Sequence, residues 1–217
     1  MSSSRMSPNT LEQRVAERTR EIEDEHVEVL QRLAAVAEFR VHEMGEHPQR
    51  VGRLAGLVAE QIGLSAEVVD NIRRAAPLHD IGLIGIPDAI MLKETSLTEQ
   101  EQRIMRTHVA IGARILAGGQ SALLQTAERI AFSHHERWTG KGYPNGLAAE
   151  RIPIEARIVG MVDSFEALTH DRPFRPAWSL QKTLAFIGDE SGGLFDPQVV
   201  TAFLKLRRAG VDLLSAE

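Results

Sequence analysis

The chain has 217 residues, with 25 Lys+Arg against 30 Asp+Glu and a formal net charge of −5, which argues against a general nucleic-acid binder; no DNA partner is expected. Hydrophobic residues make up 43% and charged residues 25%, as in an ordinary globular chain, and the length suits one domain or one domain plus an appendage. No apolar run approaches the roughly 20 residues of a membrane span, Met1–Thr10 lacks the apolar stretch of a secretory signal, and the absence of cysteine excludes disulfides and thiolate metal sites. A cytoplasmic location with no membrane partner is the expectation, and with aromatics at only 5% an all-α core of Leu, Ile, Val and Ala is favoured over a β-sandwich.

Residues 1–9 read as a disordered tail. From about Thr10 to about Glu43 the pattern is helical, without Gly or Pro, and Val15, Ile22, Val29 and Val36 recur every seven residues. The companion seam is poor, since Arg18, Glu25 and Arg32 interrupt it. Two readings stand: a long solvated helix whose last turns pack on the domain, or a signalling helix in a parallel homodimeric coiled coil over residues 10–39. Gln49–Ile62 carries Val51, Leu54, Ala55, Val58 and Ile62 at helical spacing and stops at Gly63. Ser65 caps a helix from about Ala66 to Leu78, and Gly82–Lys93 reads as a loop. Thr98 with Glu101 three residues later forms a capping box that opens a helix to about Leu116. Further helices are predicted at about Ala122–Ser133, from Pro153 to near Thr169, at Leu180–Ile187 and at Pro197–Arg208. Arg137–Ile152 is too rich in Gly and Pro for a continuous helix. Nothing reads as a sheet.

The chemistry lies in the eight histidines. His79-Asp80 pairs a neutral nitrogen with a carboxylate able to bridge two ions. His134-His135 is a second pair at a helix end. On a continuous helix adjacent side chains diverge by about 100°, so both reach one site only if it holds more than one ion or the backbone bends there. Glu43 and His47 share a face if helical, although Pro48 disfavours a helical His47. His108 lies inside the predicted helix, and Asp163 sits in an apolar context where a carboxylate needs a partner. Singly, His108 fits a core histidine, His134-His135 a helix C-cap, and Glu43 and His47 solvated side chains. Jointly, six to eight N/O ligands without sulfur suit two or three ions of Fe, Mn or Zn type, the chemistry of phosphoryl displacement.

These segments resemble the HD-GYP domain, a branch of the HD phosphohydrolase superfamily. The resemblance rests on Glu43-Met-Gly-Glu-His47, Pro77-Leu-His-Asp-Ile-Gly82 with Ile84-Gly-Ile-Pro-Asp88, Met105-Arg-Thr-His108, His134-His-Glu-Arg-Trp138, Gly142-Tyr-Pro144, Asp163-Ser-Phe-Glu-Ala-Leu-Thr169, Asp171-Arg-Pro-Phe-Arg175 and Phe195-Asp-Pro197. It covers about Arg40 to Leu206, and residues 40–217 are assigned to the HD-GYP-like domain. It implies an all-helical fold and a phosphodiesterase that hydrolyses cyclic di-GMP to linear pGpG and/or GMP in bacterial signalling. Two or three divalent ions, iron or manganese, are implied, with no organic cofactor.

Carried over by the resemblance, His79, Asp80, His108, His134, His135 and Asp163 hold the metals, with Asp80 bridging, and His79 and Asp80 form the catalytic pair. Glu43 and His47 match ligands of a third ion. Gly142, Tyr143 and Pro144 line the substrate site, and Arg172 and Arg175 match phosphate-facing positions. Leu83 stands where the family usually has Lys, Val41 where it often has Asp, and Thr139 where Asp is common. Lys141, beside the Gly-Tyr-Pro turn, is either a partial substitute for the missing cation or a solvated loop lysine. Leu83 and Val41 keep open a second reading, a catalytically weak receptor that binds metal and nucleotide, and hydrolysis of another nucleotide is a third. The start within a helical heptad is compatible with an upstream sensor or receiver domain.

Overall fold

The computed structural model describes residues 8–39, 47–171 and 176–214. Ten α-helices are present among them: α1 (Pro8–Phe39), α2 (His47–Ile62), α3 (Ala66–Ala75), α4 (Asp88–Met91), α5 (Glu99–Met105), α6 (His108–Leu116), α7 (Ala122–Ser133), α8 (Ile154–Thr169), α9 (Leu180–Asp189) and α10 (Pro197–Arg208). Short 3-10 turns occur at Ala76–Leu78, Ile81–Gly85 and Ala149–Arg151. No strand forms among the described residues beyond isolated bridges such as Thr139 with Ala148, so the fold is all-α, as the composition indicates.

Two apolar stripes organise the core. On α2, Val51, Leu54, Ala55 and Val58 are fully buried, and on α8 so are Ile158, Val159, Met161, Val162 and Phe165. These helices pack on each other, with α3, α7 and α10 around them. Phe165 meets Phe203 of α10 edge to face at 5.0 Å, the geometry that aromatic quadrupoles favour. Arg50 of α2 and Glu166 of α8 add a buried ion pair, Nε to Oε2 at 2.7 Å.

Helix α1 docks through its second half. Val27 and Ala34 are buried and Leu30 packs against the core. The seven-residue seam lies on another face, with Val15, Ile22, Val29 and Val36 each more than half exposed. The helix opens at Pro8, slightly before the expected start.

Besides the Pro8 start, and α2 opening at His47 and not at Gln49, with Pro48 tolerated in the first turn where its missing N–H is not needed, the structure departs from the sequence-based elements in four places. The helix expected to reach Leu78 ends at Ala75, because Pro77 has no N–H to continue the ladder and a 3-10 turn replaces it. Gly82–Lys93 is not plain loop, since part of a 3-10 turn and α4 lie within it. The helix expected from Thr98 to Leu116 is two helices, α5 and α6. The Thr107 N–H and hydroxyl both bond the Ile104 carbonyl, at 2.9 and 2.6 Å, which a continuous helix would offer to the His108 N–H. His108 is therefore the first residue of α6 and not a mid-helix residue. Lastly, α9 continues to Asp189.

Candidate metal centre

Seven of the eight residues singled out as metal ligands are described, and the fold brings all seven together. They form two groups, Asp80 with His108, His134 and His135, and His47 with His79 and Asp163; within each group the ligand atoms lie within 4.8 Å of one another. Glu43 lies outside the described residues, so its place relative to His47 is not part of this geometry.

All of the described ligands but Asp163, which lies within α8, arrive at element boundaries. His47 opens α2, and His79-Asp80 stands between two 3-10 turns. His108 opens α6, and His134 caps α7. Because α7 ends at Ser133, the backbone bends at the pair and both His134 and His135 reach the Asp80 group. Two glycines permit the approach. A Cβ on Gly82 would stand 1.9 Å from the His108 carbonyl oxygen, and one on Gly160 would stand 2.2 Å from that of His134. Any side chain at either position would separate the segments that carry Asp80, His108, His134 and Asp163.

Hydrogen bonds fix the imidazoles. The Nδ1 atoms of His79, His108 and His134 lie 2.9, 2.8 and 3.0 Å from the carbonyl oxygens of Ala76, Met105 and Ile130. A carbonyl only accepts, so each Nδ1 carries the proton and donates. In the neutral ring Nε2 then holds the lone pair, as a metal ligand requires. The Nε2 atoms of His108 and His134 sit 3.3 and 3.4 Å from Asp80 Oδ1, and that of His79 sits 3.5 Å from Oδ2. Both Asp80 oxygens thus face imidazoles, one towards each group. Asp163 Oδ1 lies 3.4 Å from His47 Nε2 and 3.8 Å from His79 Nε2.

The electrostatics follow from this crowding. Burial opposes ionisation of Asp80, but the charges and close contacts of His79, His108 and His134 hold its carboxyl well below the usual range. Asp163 is likewise held low, with burial opposed by His47 and His79. Burial works against a charged His108, yet the Asp80 carboxylate beside it raises its pKa. His135 is pushed well down by burial and by His134, which keeps it neutral. The donor set fits divalent ions. Asp80 Oδ1 and the Nε2 atoms of His108 and His134 are buried without a hydrogen-bond partner, an arrangement costly unless something accepts their lone pairs.

The centre forms the floor of a cleft of about 860 Å³ whose walls include Leu83, Met91, Lys93, Met105 and Tyr143. Of the residues assigned to the substrate, Tyr143 lines this cleft; Lys141 and Pro144 are exposed and Gly142 is half-buried. Arg172 and Arg175 lie outside the described residues. Gly142 packs on the backbone of Glu136 and His135, and the Glu136 carboxylate accepts the N–H groups of Asn145 and Leu147 at 2.8 and 3.0 Å. Tyr143 is thereby placed with its ring stacked on His135, centroids 4.8 Å apart. Burial and the nearby Asp80 raise the pKa of its hydroxyl, so it stays a donor.

Sequence reasoning gave no role to Lys93 or Arg106. Lys93 Nζ contacts both Glu101 oxygens, at 2.8 and 2.7 Å, joining the segment after α4 to the capping box of α5. Lys93 and Thr98 together lower the Glu101 pKa to about 2. Arg106 stands over the Tyr143 ring, 5.0 Å from its centroid. The only signal for Arg106 in the sequence is its place two residues before His108.

Known proteins resemble this chain in sequence and in fold. The chain is 46% identical over 198 residues to a cyclic di-GMP phosphodiesterase response regulator of Xanthomonas campestris, covering 91% of this chain and 52% of that protein. It is 45% identical over 207 residues to a cyclic di-GMP phosphodiesterase of Thermotoga maritima, covering 95% and 56%. The chain spans about half the length of the curated relatives it matches. Its fold resembles that of a cyclic GMP-AMP specific phosphodiesterase from Vibrio cholerae, with a TM-score of 0.61 and 19% identity over 84% of this chain and 48% of that one. The HD domain family model matches residues 28–199, and the chain belongs to the HD domain family.

Proposed function

We propose that the chain is a metal-dependent phosphodiesterase that opens cyclic di-GMP to the linear dinucleotide pGpG, with GMP as a further product. The observation that carries this reading is the convergence of two ligand groups on Asp80 at the floor of a cleft. His79, Asp80, His108, His134, His135, Asp163 and His47 hold the ions, iron or manganese, and Glu43 completes a third site. Ions so held lower the pKa of a coordinated water towards neutrality and neutralise charge on a phosphoryl group.

The protein's own groups have distinct tasks. The carbonyls of Ala76, Met105 and Ile130 keep Nδ1 protonated on His79, His108 and His134, so that Nε2 faces the centre. The neutral Tyr143 hydroxyl donates to a phosphate oxygen. Arg172 and Arg175 bind phosphate through bidentate guanidinium geometry. Lys93 is neutralised by Glu101 and shapes the rim. Leu83 presents an apolar wall, and that feature favours the second reading, a receptor that binds metal and nucleotide without turnover.

Residues 10–39 form a dimerising helix ahead of the catalytic domain at 40–217, in a cytoplasmic regulator with an upstream sensor or receiver domain. The exposed Val15, Ile22, Val29 and Val36 seam, separate from the face that docks on the domain, supports this. Metal analysis of anaerobically purified protein, followed by chromatography of cyclic di-GMP products, tests the reading. Metal-dependent pGpG or GMP supports it. Full metal and nucleotide binding without product transfers the function to the receptor, and binding without metal overturns both.

A further inference from the structure

We propose that Arg106 is a specificity-determining residue that reads the O6/N7 edge of a guanine; this rests on the cyclic dinucleotide reading above. His135 and Tyr143 line the cleft, and Arg106 follows them in a connected run of stacked groups. Tyr143 stacks on His135 with their planes 28° apart, and the Arg106 guanidinium stands over the same tyrosine ring. Arg106 is positioned by the break between α5 and α6, where its N–H bonds the carbonyls of Gln102 and Ile104. It is exposed and makes no ion pair with a described carboxylate, whereas the Lys93 ammonium is held by Glu101.

A guanidinium held over an aromatic ring loses freedom but keeps its in-plane N–H donors available. That fork matches two adjacent acceptors. Guanine offers O6 and N7 on one edge, whereas adenine offers N7 beside an N6 donor, which opposes one arm of the fork. A phosphate is the poorer assignment. Arg106 is solvated, where attraction to a point charge is screened, and the phosphate belongs at the floor with the metal ligands. When one phosphodiester lies there, a base of the cyclic dinucleotide that extends past Tyr143 meets the guanidinium stacked on that ring.

The test compares manganese-loaded wild type, Arg106→Ala and Arg106→Lys on cyclic di-GMP and cyclic di-AMP, with metal content and Tm recorded for each. Wild type is expected to prefer cyclic di-GMP. In Arg106→Ala the ratio of kcat/KM values should fall by about 10-fold or more, chiefly through KM, the scale of one lost bidentate base contact. Arg106→Lys, which keeps the charge but not the fork, should not restore the ratio. An unchanged ratio, an equal loss on both substrates, or full restoration by lysine overturns the proposal. A ligand-side measurement needs no variant: replacing guanine N7 by CH in cyclic di-GMP should lower wild-type kcat/KM about 10-fold, and no loss overturns the proposal. If wild type cleaves bis(p-nitrophenyl) phosphate but neither binds nor cleaves any cyclic dinucleotide, the substrate reading fails and the proposal fails with it. A guanine preference indifferent to Arg106 leaves that reading intact and removes only this one.

Discussion

Leu83→Lys restores a cation where the resemblance expects one, and the structure lets its effect be worked out. The Leu83 N–H bonds the Asp80 carbonyl at 2.9 Å, closing a 3-10 turn. Side chains three apart eclipse in such a turn, so position 83 lies over Asp80. Leu83 packs with Ile86, Ile90 and Met91 and also lines the cleft. Full burial of a leucine is worth about 1.5–3 kcal/mol, but a lysine stem retains part of that contact, which leaves a cost of about 1–2 kcal/mol. For a chain of this size that lowers Tm by roughly 2–8 °C. One aimed donor at a developing oxyanion is typically worth about 10²–10³ in rate; the cleft is open to solvent, so about 10–100-fold is expected here. The assay is cyclic di-GMP turnover by chromatography at matched metal content. Leu83→Met, which adds no charge, should leave the rate near wild type. A folded, fully metal-loaded lysine variant that turns over no faster than wild type would show that position 83 does not face the phosphate.

Asp80→Ala removes the carboxylate whose oxygens face imidazoles of both groups, so metal content measured by mass spectrometry should fall to a small fraction of wild type; retention of two equivalents refutes the bridging role. The sign of the pH dependence follows from His108, whose metal-free pKa is raised despite burial by the Asp80 carboxylate. Its protonated form stabilises the metal-free fold at low pH, and that contribution is lost as pH rises through the raised value. A ligand must be deprotonated, so manganese affinity measured by calorimetry should rise with pH across the same range, and affinity flat from pH 6 to 8 contradicts this. Arg50→Met takes the guanidinium from the buried Glu166 carboxylate, leaving His170 Nδ1 at 3.4 Å beside it, and should cost up to about 3–5 kcal/mol, read as a Tm fall on the order of 10 °C; a shift within a degree would show the pair to be incidental. Light scattering at micromolar concentration should give a dimer mass, lost in Ile22→Lys with Val29→Lys, and a monomer mass at every concentration refutes the α1 seam.

How far the sequence could be read depended on whether the deciding contact was local. Ser65, Ser121 and Ser179 each cap their helices by accepting the N–H three residues on, and a cap is written within four residues. The Thr98–Glu101 box formed as its spacing implies, and Pro197 stands at the first position of α10. The division between α5 and α6 was not legible, because no Gly or Pro marks it. It coincides with the close approach of the Gly82 turn to the His108 carbonyl and the Gly112 N–H, a contact between distant segments. The Arg50–Glu166 pair joins residues 116 apart, and no periodicity could announce it. For the candidate site, residue types pointed to a shared metal site only jointly, since each candidate alone has an ordinary structural use, and the fold brings seven of the eight together. The contacts of Lys93 and Arg106 were not legible, because both are ordinary surface residue types whose partners, Glu101 and Tyr143, are set by the fold.

The same dependence explains why the centre needs a rigid core behind it. Bringing imidazoles around Asp80 and Asp163 is unfavourable in itself, because buried lone pairs without partners each cost about 1–3 kcal/mol. Side chains on mobile loops would relax apart. Here Asp163 rides on α8 beside fully buried Val159 and Val162, and His47 opens α2 one turn before the fully buried Val51. Arg50 and Glu166, three residues after His47 and Asp163, hold those helices together. Separating the ligands would therefore require opening the α2–α8 core, whose burial outweighs the local repulsion. The cluster is pre-organised by packing rather than by its own contacts. An incoming ion then meets oriented lone pairs, and its binding energy need not be spent on ordering the chain.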